Sequence, residues 1–99
     1  MRITPDQARA IGRLAREVAG QDARVRLFGS RLDDRALGGD VDLLLEVPSP
    51  VVNPALTAAT LSARVSRLFH GRRVDVLIVA PNLRRFPIHD LACDQGQLL

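Results

Sequence analysis

The chain has no lysine, no tryptophan and no tyrosine, one cysteine and three phenylalanines. Each scarcity excludes something. A lone Cys93 rules out an internal disulfide and any zinc site built on several cysteines, and it fits a reducing cytosol. Without lysine there is no Gly-Lys-Ser/Thr, so the P-loop route to nucleotide binding is closed. Scarce aromatics remove the stacking platforms that accompany basic grooves in nucleic-acid binders. All fourteen basic residues are arginines, scattered along the chain except for Arg72-Arg73 and Arg84-Arg85. With a net charge of only +3, they do not make a nucleic-acid footprint, and an arginine- and alanine-heavy chain is also what codon composition produces. The N-terminus carries no long apolar run, so neither signal peptide nor membrane anchor is expected. Nothing repeats at a fixed period and no long linker interrupts the chain. The expectation is one cytoplasmic domain over residues 1–99.

What is present is a globular composition, 46% hydrophobic and 25% charged. Thr4-Pro5-Asp6-Gln7 reads as a helix start with a capping box, followed by Ile11, Leu14, Ala15 and Val18 on one face and a stop at Gly20. Arg24 to Phe28 alternates as a strand ending at Gly29. Ser30 can cap a short helix through Arg35, and Gly38-Gly39 permits an irregular turn. Asp40 to Val47 is a second strand, with Val41, Leu43, Leu45 and Val47 on one face and Asp40, Asp42, Leu44 and Glu46 on the other. Asn53-Pro54 opens a second helix with Leu61, Val65 and Leu68 as its stripe and Gly71 beyond its end. Val74 to Val79 is a third strand. Ile88, Leu91 and Ala92 suggest a last short helix ending at Gly96. This order predicts an α/β fold, a small mixed sheet flanked by helices.

The chemistry concentrates in Phe28-Gly29-Ser30-Arg31, then Asp40-Val41-Asp42, then Asp75 within Arg73-Val74-Asp75-Val76-Leu77. Two carboxylates one residue apart on a strand point to the same side, with their Cα atoms roughly 6.5 Å apart. Magnesium takes hard oxygen ligands, commonly one or two carboxylates completed by water and phosphate. Asp75, reaching over from a neighbouring strand, could complete a second metal site or accept the proton of an attacking hydroxyl. Acids on otherwise apolar strands need a cation or a donor. Gly29 lets a phosphate approach the backbone, Ser30 can donate to it from a helix start, and Arg31 offers a planar donor fork. Each part alone has an ordinary reading: a solvated strand face, a plain turn with a serine cap, a surface arginine. Asp33 and Asp34 suit solvent or pairing with Arg31 and Arg35 better than metal. Glu46 reads as solvent-facing or paired, His70 as a cation at a helix end, His89 as structural or surface, and Cys93 as a small packing residue.

Taken together, Arg26-Leu27-Phe28-Gly29-Ser30-Arg31 and Gly39-Asp40-Val41-Asp42-Leu43-Leu44, with the later Asp75, resemble the signature of the minimal nucleotidyltransferases of the DNA polymerase β-like superfamily. Ile88, Ala92, Gly96 and Leu98 look like the ending of small bacterial members, so the resemblance spans nearly the whole chain. It implies a polymerase β-like nucleotidyltransferase fold and an enzyme that binds a nucleoside triphosphate, such as ATP, with two magnesium ions. Such an enzyme transfers the nucleoside monophosphate to an acceptor hydroxyl and releases pyrophosphate. Gly29, Ser30 and Arg31 would bind the triphosphate; Asp40, Asp42 and Asp75 would be the catalytic acids and metal ligands. Many small members sit beside a helical HEPN-type toxin or a related helical substrate-binding protein and act as antitoxins that add AMP to a partner tyrosine. Two departures stand out. Gly39 occupies the position before the first Asp, where many members have serine, and the chain lacks the extra C-terminal domain of larger relatives. A partner would supply those surfaces, or the acceptor itself would be the partner, and a small core with an apolar C-terminal segment points to a complex or oligomer. The alternative is a domain of the same fold that neutralises a helical partner by contact, without catalysis.

Overall fold

The computed structural model describes residues 3–29 and 40–99. The first helix, α1 (Pro5–Ala19), starts where the sequence supplies both halves of a capping box. Thr4 Oγ1 accepts from the Gln7 amide at 3.0 Å, and Gln7 Oε1 accepts from the Thr4 amide at 2.9 Å. Two otherwise orphaned donors are thus satisfied, and Pro5 loses nothing at the first helical position. Asn53 performs the single-sided version for α2 (Pro54–Leu68), accepting from the Leu56 amide at 3.1 Å. The third helix, α3 (Pro87–Gln95), is capped from within. His89 Nδ1 accepts from the Phe86 amide at 3.0 Å, the return half of a capping box carried by an imidazole.

Between the helices run β1 (Arg24–Phe28), β2 (Val41–Glu46) and β3 (Val74–Val79), with a two-residue β4 (Gln97–Leu98) at the end. The sheet order is β3-β2-β1-β4. Strand β1 runs antiparallel to β2 and to β4, whereas β2 and β3 are parallel and joined through α2. The described residues therefore form a mixed α/β fold of three helices and a four-stranded mixed sheet, as the element order predicts. A parallel pair needs a crossover long enough to carry a helix back over the sheet, which is what α2 provides.

The two sheet faces have different fates. Val25, Leu27, Val41, Leu43, Leu45 and Ile78 are buried with Ile11 and Ala15 of α1 and Leu61 and Val65 of α2. On the opposite face α3 lies across β1, β2 and β3. There Leu44 and Ala92 are fully enclosed outside the main cluster. Glu46 is paired with Arg26, and Cys93 Sγ lies 4.0 Å from Glu46 Oε1. This covered second face explains why Leu44, apolar in a row of acids, is where it is. It sits under α3, while Asp42 stands one alternation beyond, toward the sheet's end.

Three sequence expectations shift in detail. Strand β2 is bounded by Val41 and Glu46, so Asp40 and Val47 flank it. Helix α2 ends at Leu68, and His70 lies past it in the left-handed region at φ +57°, a conformation histidine tolerates better than branched residues do. Strand β4 was not expected, because two residues give no alternation to read. Among the described residues, no helix is long and apolar enough to cross a membrane.

Candidate active site

The acids gather where β1 ends and β2 and β3 begin. Pairing in the sheet sets Phe28 opposite Asp42, and Asp42 beside Asp75 in register across the parallel β2–β3 pair. Neighbouring strands lie about 4.8 Å apart, and in-register residues share a face. Asp40 directly precedes β2, where the Val41 amide donates to Arg73 O at 3.0 Å and ties the start of β2 to the approach to β3. Two hydroxyls of α2 hold that approach from the other side. Ser66 Oγ donates to Arg72 O at 2.7 Å, and Ser62 Oγ donates to Val74 O at 2.6 Å. The three aspartates therefore share one region on anchored backbone.

Gly29 closes the region from the β1 side. Its φ is +76°, and a Cβ built there would overlap Asp42 Oδ2. Glycine is thus required twice, for the backbone turn and for the space occupied by the carboxylate. Of the remaining predicted phosphate contacts, Ser30 and Arg31 lie outside the described residues. So do the short helix through Arg35, the Gly38-Gly39 turn, and Asp33 and Asp34.

The electrostatics are those of crowded like charges. The Asp42 carboxyl is pushed above its ordinary range, first by burial, then by the negative charges of Asp75 and Asp40, with Arg73 opposing. Arg73 is the one group the sequence reading passed over. Its Nε lies 3.1 Å from Asp75 Oδ1 and 4.0 Å from Asp40 Oδ2. The signal was present in the sequence: residues 73 and 75 are two apart on an extended segment and so lie on one side. With Arg73 against two of the carboxylates, they do not form a closed ligand set. Among the described residues, no group of three His, Cys, Asp or Glu side chains is arranged to hold a metal ion.

The donors themselves are three carboxylates, all hard oxygen ligands. The recess that a Cβ at Gly29 would fill is occupied by a carboxylate oxygen. In addition, a positive group already stands between Asp40 and Asp75. Oxygen-only ligands of this kind suit magnesium rather than zinc.

The other titratable candidates have structural partners. His89 is buried, stacked on Phe86 with ring centroids 5.9 Å apart, and committed to the α3 cap. The Glu46 carboxylate is taken by Arg26, whose guanidinium is held more firmly protonated by that hydrogen bond. A cavity of about 800 Å³ opens at the far end of the sheet, lined by Arg16, Asp22, Arg24, Glu46 and Val79 among others. It is an open groove of mixed charge, touched by none of the three aspartates, and it is not the site.

No protein-family model matches the chain, and neither a curated protein nor a solved structure does.

Proposed function

We propose that this chain is a magnesium-dependent nucleotidyltransferase. In this reading it moves a nucleoside monophosphate, AMP from ATP, onto a hydroxyl of a helical partner protein, as the antitoxin of a HEPN-type two-gene module. One observation carries the reading: Asp42 and Asp75 are in-register neighbours on parallel strands, and Gly29 fits against Asp42 with no room for a side chain.

The roles follow from position. Asp40, Asp42 and, through one carboxylate oxygen, Asp75 would hold the cation, which when bound offsets phosphate charge and aligns the triphosphate. Asp75 receives the proton of the acceptor hydroxyl as its oxygen attacks the α-phosphorus. The new O–P bond forms as the bond between the α-phosphorus and the bridging oxygen breaks, and pyrophosphate leaves with that electron pair. Gly29 leaves the backbone open to the phosphates, and Ser30 and Arg31 are the donors proposed for them.

The test is incubation with ATP labelled at its α-phosphate, Mg²⁺ and the protein encoded next door. Label on the partner is the expected result. An unlabelled partner, under conditions where ATP binds, defeats protein modification as the activity.

A second reading is favoured by one observation. Phe86, Ile88, Leu91 and Leu98, on and beside α3, are all substantially exposed. A partner bound there would be neutralised by contact alone. A variant carrying both Asp40→Asn and Asp42→Asn separates the two readings: neutralisation in cells survives under the contact reading and is lost under the catalytic one.

A further inference from the structure

Arg73 has no part in the roles above, yet it lies against two of the three acids, Asp75 and Asp40. Its backbone is fixed from three directions, by Val41, Ser62 and Ser66, through bonds to residues 72–74. Its side chain is not: it is 73% exposed and reaches Asp75 and Asp40 from solvent. Ion pairs this exposed are weak, because water and salt compete and the long arm loses rotamer freedom. The contact is therefore placed reproducibly but held loosely. Asp42 lies outside it; no ion pair joins Asp42 to Arg73, and the Asp42 carboxyl remains under the repulsion of its neighbours.

Resting on the metal-dependent reading above, we propose that Arg73 is a resident counter-ion of the acidic site: it offsets part of the charge of Asp40 and Asp75 when no divalent cation is bound, and it must swing away for one to enter. An arginine is suited to this part because it stays charged at every physiological pH and carries a planar donor fork that matches carboxylates. The consequence is a built-in competitor that lowers cation affinity and reduces the negative charge of the empty site. A divalent ion satisfies all three acids where the guanidinium reaches two, so the exchange runs in the ion's favour once the ion is abundant. Arg73 is thus a positioning residue that sets affinity and does not touch the reacting atoms.

The test is a Mg²⁺ titration without nucleotide, read by calorimetry on the full chain and its Arg73→Gln variant. Alongside it, the Arg73 Nε–H signal is followed by NMR in the unmodified protein. Removing the competitor should tighten Mg²⁺ binding by about threefold to tenfold. The Arg73 signal should move toward the position of a free arginine and broaden through faster exchange with water as Mg²⁺ is added, reporting release of the side chain. If Mg²⁺ binds both proteins equally and the Arg73 signal stays still, the counter-ion role is overturned while the metal-dependent reading stands. If Mg²⁺ binds neither protein, both fall together.

Discussion

Asp42 and Asp75 lie side by side on parallel strands, in register, with Gly29 of the adjoining strand against the first of them. Three sheet elements thus meet at one corner, and the backbone hydrogen bonds that define the sheet also fix the spacing of the two residues' main chains. Sheet register is set by which face must be buried, because a slip of one residue would turn Val41, Leu43 and Leu45 out of the core. The apolar face therefore disciplines the acidic one.

Replacing Asp42 should alter stability with a definite sign. Its carboxyl is raised above the ordinary 3.8, so the folded chain holds that proton more tightly than the unfolded chain does. Ionised Asp42 consequently costs stability above its folded pKa, and the cost disappears as pH falls below the unfolded value. In metal-free buffer near pH 7, Asp42→Asn should melt higher than the unmodified protein, by on the order of a few degrees. The difference should shrink as the pH falls toward about 4. Thermal unfolding across that range checks it; a variant that melts lower at neutral pH would mean the carboxylate is better compensated than its neighbours imply.

A side chain at position 29 should be costly beyond backbone strain. Gly29→Ala imposes a left-handed conformation on alanine and drives its Cβ into Asp42. Gly20→Ala provides the comparison: φ there is +103°, but nothing lies within reach of the added methyl. We expect roughly 1–2 kcal/mol of destabilisation from strain at either site. The overlap with Asp42 should add to this at Gly29 alone, together with loss of cation binding. Equal effects in chemical denaturation would argue that Asp42 moves aside freely.

The second sheet face should contribute to stability through Leu44. It is fully buried under α3 in a row otherwise made of Asp42 and Glu46. Leu44→Ala should cost about 2–5 kcal/mol, the usual range for a truncated core leucine. A loss well under 1 kcal/mol would show that α3 is not firmly seated on the sheet.

Much of this arrangement was legible in the sequence, for identifiable reasons. Capping at Thr4 and Asn53 and the stripes of Ile11, Ala15, Leu61 and Val65 are local patterns, and the helices form where those patterns lie. Alternation placed Val41, Leu43 and Leu45 on one side of β2 and Asp42 on the other. What stayed hidden depends on pairing. No local pattern tells which strand lies beside which, so the Asp42–Asp75 register is a product of the crossover through α2. Strand β4 exists only because β1 offers it an edge at Arg26 and Leu27. Arg73 was passed over because it reads as half of a surface arginine pair until Asp40 and Asp75 are seen on either side of it.

The central claim is that Asp42 and Asp75 serve one cation together, and its most direct test is Mn²⁺ binding followed by electron paramagnetic resonance. Single Asp42→Asn and Asp75→Asn variants, checked for an unchanged fold by circular dichroism, are compared with the unmodified protein. The account predicts that each substitution alone weakens binding by at least about tenfold, since each removes a ligand from a shared site. Undiminished binding after either substitution would contradict it, leaving the two carboxylates neighbours on the sheet with no common ion.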